Sequence, residues 1–457
     1  MNKILNYKNL ILFLILTLSA FIFSHNILFY PVKGGLDYAR RTLYTKIISQ
    51  EFRFPTYEET SQVYDAPLFY LSTGLAVRLI SYMTSFEFSE AIGSMRFFLA
   101  FLGIISFFLW YKIFTDFYPK KKNAPIMFLL LLSSMPVFYK VGAMYVSELL
   151  TVFISTVSLY FFINQFLKKS TYKNAVILSI LISIGLLTRI SFFSLAFALF
   201  VGIIVLFFSK KKGLAVIKFL SIIASIILIM TGWFYLGRQA GKLTDFGTYA
   251  EIYKQDRSIS LFKRQRLGFY FDIPFKLMMY YPIRPHLSRP AYFLPIYYSD
   301  FWGDYWNYFP QTRFGKDESQ SARASRYSYS DTRRKYLAWQ NRVNFVPTIL
   351  MVVSFLYILI TRTKYIIKKK INSRILTEFI FTLFVIFTWG SLTIVASKFP
   401  GEGDWIKASY SLYIVPLYAY FTAVFLFSYL KKIKIIFWPI LIILLFSIGN
   451  NLIFSWF

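Results

Sequence analysis

The chain has 457 residues, of which 57% are hydrophobic, 21% are aromatic and only 16% carry a charge. A soluble protein usually carries about 25% charged residues, so this composition excludes a soluble globule and indicates that lipid covers much of the surface. The formal net charge is +30, but the polar surface of a basic nucleic-acid-binding protein is missing. The absence of cysteine excludes disulfides and thiolate metal sites, and two histidines are too few for a multi-histidine metal site.

The first apolar run is Leu10–Tyr30, which follows Lys3 and Lys8. A secretory signal peptide has a shorter apolar core and a small-residue cleavage site. The run is long enough to cross a bilayer, so we predict a retained membrane helix.

Apolar runs of spanning length recur along most of the chain, and we predict 11 transmembrane helices in an all-α polytopic protein. Of the predicted boundaries between spans, the one at Arg189 is the least certain. The ten later runs are 92–112, 124–141, 148–167, 174–188, 190–208, 214–236, 344–361, 376–396, 409–430 and 435–456.

Lysine clusters follow the even-numbered spans. If the N-terminus is cytoplasmic, every cluster lies inside, as the positive-inside rule requires, and the C-terminus lies outside. The clusters are Lys120–Lys122, Lys168–Lys169, Lys210–Lys212, Lys364–Lys370 and Lys431–Lys434.

The apolar segment Pro67–Met83 does not fit this alternation as a span, because it would invert every later cluster. It contains Arg78 and several Ser and Thr residues. We therefore predict an amphipathic or re-entrant helix on the outer face, with an ordinary span as the alternative.

Two long outer segments divide the chain into three regions. Region 1–236 is an N-terminal membrane module with a first outer loop at 31–91, region 237–343 is an extracytoplasmic cap, and region 344–457 holds the last spans. The segment 237–344 is rich in aromatic residues and proline and contains 18 Lys and Arg against 9 Asp and Glu. This positive charge suits an anionic ligand, and it equally suits anionic lipid headgroups.

Acidic residues of the outer face are scarce and are therefore candidates for chemistry. Asp37 lies just beyond the first span, where a carboxylate can act as a general base or bind a metal; the alternative is a surface ion pair with Arg40 or Arg41. Asp65 precedes a proline-started helix and could cap it. Glu148 begins the fourth span, where it favours the helix dipole and Ser147 could cap, but an acid at a membrane boundary is also a functional candidate.

Later outer segments add further candidates. Asp300, Trp302 and Asp304 combine acids with aromatic rings, a pattern typical of sugar recognition and equally of an interfacial aromatic belt. Lys407 and Arg189 are placed at headgroup level, where a cation can bind a lipid phosphate; their alternatives are a snorkelling side chain and a helix boundary.

The sequence contains no Walker A loop, Rossmann glycine motif or zinc-protease motif, and the inner loops are short and basic. Chemistry on the outer face would need a lipid-borne donor, since nucleotide-activated donors are not normally available there.

The order of these features resembles the polyprenyl-phosphate-sugar-dependent glycosyltransferases with the C-type (GT-C) membrane fold, which include protein O-mannosyltransferases and lipid A aminoarabinose transferases. Their usual first-loop pattern is an Asp-Glu pair followed by His-x-Pro-Pro-Leu-Tyr-Tyr. The resemblance covers most of residues 1–430, and the order of the motifs is its specific part. The similar segments here are Asp37-Tyr38, Asp65–Tyr70, Ser147-Glu148, Gly185–Arg189 and Asp404–Tyr410.

The resemblance implies a GT-C-like fold and an inverting transfer with Asp37 as general base and Glu148 as a second catalytic acid. It implies a divalent metal ion, Mg or Mn, held by Asp37 and Glu148, although Tyr38 replaces the second acid of the pair and Ser409 replaces a late arginine. The predicted substrate-binding residues are Asp65, Tyr70, Arg189, Arg284, Arg289, Asp300, Trp302, Asp304, Lys407 and Tyr410.

The predicted partners are a polyprenyl-phosphate sugar donor, a lipid, glycan or protein acceptor, and the bilayer, without nucleic acid. We expect an integral protein of a prokaryotic inner membrane with the site facing outward. A lipid-linked-sugar flippase is an alternative, but it would need polar residues along the midplane. An O-antigen polymerase or ligase shares the substrate class and is the other alternative.

Overall fold

The computed structural model describes residues 7–35, 37–56, 58–121, 123–209, 213–239, 265–282, 292–306, 331–398 and 406–456. Within these ranges the regular structure is helical and contains no strand. The first ten α-helices lie before the cap: α1 (Tyr7–Phe29), α2 (Tyr38–Glu51), α3 (Leu68–Thr84), α4 (Phe88–Phe117), α5 (Ala124–Ser133), α6 (Pro136–Gly142), α7 (Glu148–Phe161), α8 (Tyr172–Thr188), α9 (Phe193–Ser209) and α10 (Gly213–Gln239).

In the described parts of the cap and the last membrane region there are eight more α-helices. They are α11 (Leu267–Phe271), α12 (Phe275–Tyr280), α13 (Phe293–Trp302), α14 (Asp331–Val343), α15 (Phe345–Ile367), α16 (Ser373–Lys398), α17 (Val415–Ser428) and α18 (Lys434–Phe454). A 3₁₀ segment, Ala408–Ile414, leads directly into α17.

The predicted polytopic all-α membrane protein is confirmed. In the part of the chain that the structure describes, nine helices are long and apolar enough to cross a bilayer, and the bent pair α5–α6 makes ten. Each of the 11 predicted spans coincides with helical structure, but the one at 174–188 falls on α8, whose 17 residues lie at the lower limit of spanning length.

Contacts between helix ends show that the bundle has two distinct ends. Arg96, near the start of α4, donates to the carbonyl of Tyr30 at 3.0 Å, and Asn26 of α1 donates to the carbonyl of Ser455 at 2.7 Å. The end of α1, the start of α4 and the end of α18 therefore lie at the same end of the bundle, which we call the site end. At the other end of the 30-residue helix α4, Lys121 donates to the carbonyl of Phe427 at 3.4 Å. Helices α1 and α18 thus finish at the same end, as the predicted alternation requires.

The helix predicted at 67–83 is α3, which packs on α2 and α4. It buries Phe69, Tyr70 and Val77 against the protein, and its opposite face exposes the polar Ser72 and Arg78 together with the apolar Leu79. It is not among the helices that are long and apolar enough to span.

The third predicted span, 124–141, is not one straight helix, because α5 and α6 are bent by 50° relative to each other. Pro136 has no N–H to continue the ladder of α5. The hydroxyl of Tyr139 donates to the freed carbonyl of Ser133 at 2.6 Å, and its oxygen lies 3.0 Å from the hydroxyl of Ser19. The bend turns Lys140 of α6 away from the direction of α5 and toward the cap.

A buried polar cluster joins four helices at the end opposite the site end. The carboxylate of Glu378 on α16 accepts hydrogen bonds from Arg362 on α15, from Tyr118 at the end of α4, and from Tyr420 on α17 at 3.1 Å. Glu378 is fully buried. The ion pair fixes the relative positions of these helices among otherwise apolar contacts.

We expect Arg362→Met to destabilise the protein strongly, by about 3–5 kcal/mol, because it leaves the Glu378 carboxylate buried without its cation. Thermal unfolding of the purified protein in detergent measures this effect. Lys364→Met is the matched control, since Lys364 lies two residues after Arg362 in the same helix and is exposed. Equal melting temperatures for the two variants would contradict the role given to the ion pair.

Candidate functional site

A pocket at the site end lies between the bent span, the start of α7 and the cap. Five charged side chains line it, together with apolar residues of α6 and the loop that follows. The charged residues are Lys140, Glu148, Asp300, Asp304 and Lys407. Four of them were predicted from the sequence, and α6, α7, α13 and the segment before α17 bring them together.

Glu148, the first residue of α7, is 3% exposed and is compensated by two arginines. Its Oε1 lies 2.6 Å from Nη1 of Arg189, and its Oε2 lies 3.6 Å from Nη1 of Arg41. Ser147 does not cap α7, contrary to the cap interpretation; its hydroxyl instead faces Nη1 of Arg189 at 3.4 Å. The site therefore contains a buried carboxylate between two guanidinium groups.

Arg189 reaches Glu148 because α8 ends at Thr188 and the chain at Arg189 is extended. Burial lowers the pKa of Arg189, but Glu148 outweighs this effect and raises it above the usual value. The guanidinium also lies 4.8 Å from the ring centre of Tyr410, and the ammonium of Lys407 lies 5.5 Å from the same ring. Two cations thus share one aromatic ring, an arrangement that stabilises positive charge.

Asp37 directly precedes α2 with a φ of 53°, in the left-handed region that Asp tolerates better than most residues. Its side chain does not cap the helix. Among the described residues its carboxylate has no ion-pair partner within 4 Å, so the predicted surface pair with Arg40 or Arg41 does not form at that distance. It lies within electrostatic range of Arg41 and Tyr410, and is therefore on the same side of the site as Glu148.

Asp65 does not act as the predicted helix cap, since α3 begins after Pro67 without a side-chain cap. Its Oδ2 instead accepts a hydrogen bond from the hydroxyl of Tyr70 at 2.6 Å. Tyr70 is buried and stacks on Tyr44 of α2 with ring centres 4.1 Å apart. This bond competes successfully with capping because the tyrosine hydroxyl is buried and needs an acceptor.

Asp300 and Lys140 join the cap to the membrane core. The ammonium of Lys140 donates to the carbonyl of Asp300 at 2.7 Å and to that of Gly303, which satisfies backbone acceptors at the end of α13. It also lies 3.9 Å from Oδ1 of Asp300. Oδ2 of Asp300 accepts from the backbone N–H of Ala408 at 2.7 Å, next to Lys407.

The remaining predicted site residues are distributed differently. Trp302 is buried and its indole donates to Thr348 of α15 at 2.8 Å, so it anchors the cap and does not line the pocket. Asp304 lines the pocket beside Asp300. Arg284 and Arg289 lie outside the described residues.

The predicted metal ligands do not match the preferences of a divalent ion. Mg²⁺ and Mn²⁺ bind carboxylate oxygens, but one Glu148 oxygen is taken by Arg189 and the other faces Arg41. In the described ranges no group of three His, Asp or Glu side chains converges as a metal site. We therefore derive no chemical step through a metal.

The sequence analysis missed Lys140 as a site residue and considered Arg41 only as a partner of Asp37. A lysine near the end of an apolar run is a signal, because a cation in a span needs a partner. The bend that redirects Lys140 depends on the Pro136 break. Arg41 carried no signal that separated it from the exposed Arg40 beside it.

Comparisons of the chain with protein-family models, curated protein sequences and solved structures give no match.

The cap contact predicts a dependence of stability on pH. Burial raises the pKa of Asp300 to about 6 from its usual 3.8; Lys140, the N–H of Ala408 and Lys407 oppose the rise, and Asp304 adds to it. Because the pKa of Asp300 is raised in the folded state, the protonated carboxyl contributes to the stability of the fold. This contribution is complete below about pH 4 and is lost as the pH rises through about 6.

We expect the variant Asp300→Asn, which resembles the neutral acid, to gain stability relative to the wild type as the pH rises from 4.5 to 7.5. The difference should be on the order of 2–3 kcal/mol. Melting temperatures of both proteins across this range measure it, with the exposed Asp272→Asn as control. A constant difference between the wild type and Asp300→Asn at all pH values would contradict the raised pKa.

Proposed function

We propose that the protein is a membrane glycosyltransferase that moves a monosaccharide from a polyprenyl-phosphate carrier to an acceptor on the outer face of the membrane, with inversion at the anomeric carbon. The observation that carries the proposal is the gathering of cations and carboxylates at one end of an apolar helix bundle. A lipid-borne phosphate ester needs cations at membrane depth, and transfer to a hydroxyl needs a base nearby. Lys140 and Lys407 line the pocket and meet the first requirement, whereas Asp37, the proposed base, is not among the lining residues.

The cations around Tyr410 are the proposed phosphate site. Lys407 and Arg189 both lie against its ring, and Lys407 also lines the pocket. Positive charge at this point stabilises the negative charge that develops on the phosphate as it leaves. The assignment of Arg284 and Arg289 to the same role stays a prediction from the sequence.

Asp37 is the proposed general base. Its carboxylate removes the proton of the acceptor hydroxyl while the acceptor oxygen forms a bond to the anomeric carbon. The bond from that carbon to the phosphate oxygen breaks, and its electron pair leaves with the polyprenyl phosphate. Among the described residues no cation pairs with this carboxylate within 4 Å, so no direct ion pair stands between it and an acceptor hydroxyl.

The other predicted residues have supporting roles in this proposal. Glu148 holds Arg189 beside the phosphate, and Asp65 and Tyr70 fix the short helices of the first outer loop. Asp300 and Asp304, which line the pocket, are the proposed acceptors of hydrogen bonds from sugar hydroxyls. The acceptor is a lipid, a glycan or a protein, and the proposed location is a prokaryotic inner membrane with the site outward.

We expect Asp37→Asn to lower the transfer rate by about 10²–10⁴-fold, since general base catalysis contributes this much. Transfer of labelled sugar from a polyprenyl-phosphate donor by the purified protein measures it. Glu58→Gln is the control, because Glu58 is an exposed carboxylate of the same outer loop. Near-normal turnover in Asp37→Asn would transfer the role of base to another residue, while a folded wild type with no transfer at all would count against the proposed function.

We expect Lys407→Ala to weaken use of the donor by about 1.5–3 kcal/mol, the range for a hydrogen bond to a charged group. The loss should appear in KM for the donor more than in KM for the acceptor. The exposed Lys33→Ala is the control for general loss of positive charge on the outer face. Unchanged donor affinity in Lys407→Ala would remove Lys407 from the phosphate site.

A further inference from the structure

Arg41 is a buried cation that the proposed chemistry does not use. It lies in the first turn of α2 and is 4% exposed. Three carboxylates, Asp37, Asp65 and Glu148, act on it electrostatically. Burial lowers the pKa of Arg41, but Glu148, Tyr70, Asp65 and Asp37 outweigh this effect and raise it above the usual value, so its charge is permanent in the folded protein.

Strong hydrogen bonds do not account for the burial of the Arg41 guanidinium. Its Nη1 lies 3.6 Å from Oε2 of Glu148, which is too long for one. Among the described residues, Nε and Nη1 of Arg41 and Oε2 of Glu148 are buried and have no hydrogen-bond partner. Burying such donors is unfavourable, so the benefit of Arg41 lies in its charge among three acids.

The other side chains around this group confirm the need for charge compensation. Arg189 neutralises Glu148 at Oε1, whereas Arg41 faces the other oxygen, Oε2. Asp65 has a neutral partner in the hydroxyl of Tyr70, and Asp37 has no ion-pair partner within 4 Å in the described part of the chain. Without Arg41 the group would contain three carboxylates and one cation, which is the charge pattern of a cation-binding site.

We propose that Arg41 is the resident cation of the site, which compensates Asp37, Asp65 and Glu148 in place of a divalent metal, so that the protein folds and works without one. A dication would have to enter beside two guanidinium groups that repel it. It would also have to replace Arg189 at an oxygen already held at 2.6 Å. Arg41 is a positioning residue in this scheme, because it fixes the acids and does not touch the reacting atoms.

An ordinary structural ion pair would also make Arg41 important for stability, so loss of stability alone does not decide the question. The response to divalent cations does, because only a charge-compensating role predicts that a cation can replace the lost guanidinium. The test uses the full-length protein in detergent and measures the melting temperature after treatment with EDTA and then with millimolar MgCl₂ or MnCl₂ at constant ionic strength. Neither step involves a sugar donor, so its result is independent of the proposed glycosyl transfer.

Divalent cations should not change the melting temperature of the wild type, of Arg41→Lys or of the control Arg40→Ala. Each of these proteins should melt at the same temperature with EDTA as with Mg²⁺ or Mn²⁺. Arg40 is the matched control because it is the exposed neighbour of Arg41. Arg41→Ala should melt lower than Arg40→Ala, and Mn²⁺ or Mg²⁺ should restore part of the loss in a saturable way. Arg41→Gln, which keeps more of the side-chain volume, replaces Arg41→Ala if the latter does not fold without added cation.

Two results would overturn the proposal. One is a wild type whose melting temperature falls with EDTA and returns with Mg²⁺ or Mn²⁺. The other is an Arg41 variant, with alanine or glutamine, that responds to divalent cations no more than Arg40→Ala does.

Discussion

The arrangement of the site depends on the cost of burying the Glu148 carboxylate at the start of a membrane helix. A charge removed from water is costly unless cations and hydrogen bonds compensate it. Arg189 provides the compensation at 2.6 Å, and this contact requires α8 to end at Thr188 so that the arginine can reach across. The same arginine lies against Tyr410, which ties the last region of the chain to the first. One buried acid thus determines where three separate segments meet.

The bent third span solves a second problem of burial. A membrane helix that breaks must satisfy the freed backbone groups within the protein. Tyr139 satisfies the carbonyl of Ser133, and the short helix that follows points Lys140 at the end of α13. Lys140 then provides the donors that the last carbonyls of the cap helix lack. A break that costs backbone hydrogen bonds in the core therefore supplies the contact that holds the cap over the pocket.

The sequence was sufficient for the membrane architecture because span length and lysine clusters are strong and independent signals. The predicted span at 344–361, for example, coincides with α15, which runs on to Ile367 and includes Lys364 of the basic cluster in its last turn. The bend at Pro136 was not predicted, since apolar character continues through it. Asp65 and Ser147 were interpreted as possible caps, but the hydroxyl of Tyr70 donates to Asp65 and the guanidinium of Arg189 faces the hydroxyl of Ser147. Arg189 is 42 residues from Ser147, and a partner that distant leaves no local trace in a sequence. Arg41 and Arg40 have the same sequence environment and opposite burial, and only the packing of α2 separates them.

The charged side chains at the site end form two groups, and each group holds both signs. Asp37 and Asp65 share the neighbourhood of Arg41, whereas Lys140 and Lys407 lie toward the cap, beside Asp300. Tyr410 is within electrostatic range of Asp37, and its ring centre lies 5.5 Å from the ammonium of Lys407, so it is near both groups. The proposed inverting displacement needs a base on one face of the anomeric carbon and stabilised negative charge on the opposite face. Two groups that both border Tyr410 suit this requirement, with the proposed base in the group around Arg41 and Lys407 in the group beside the cap.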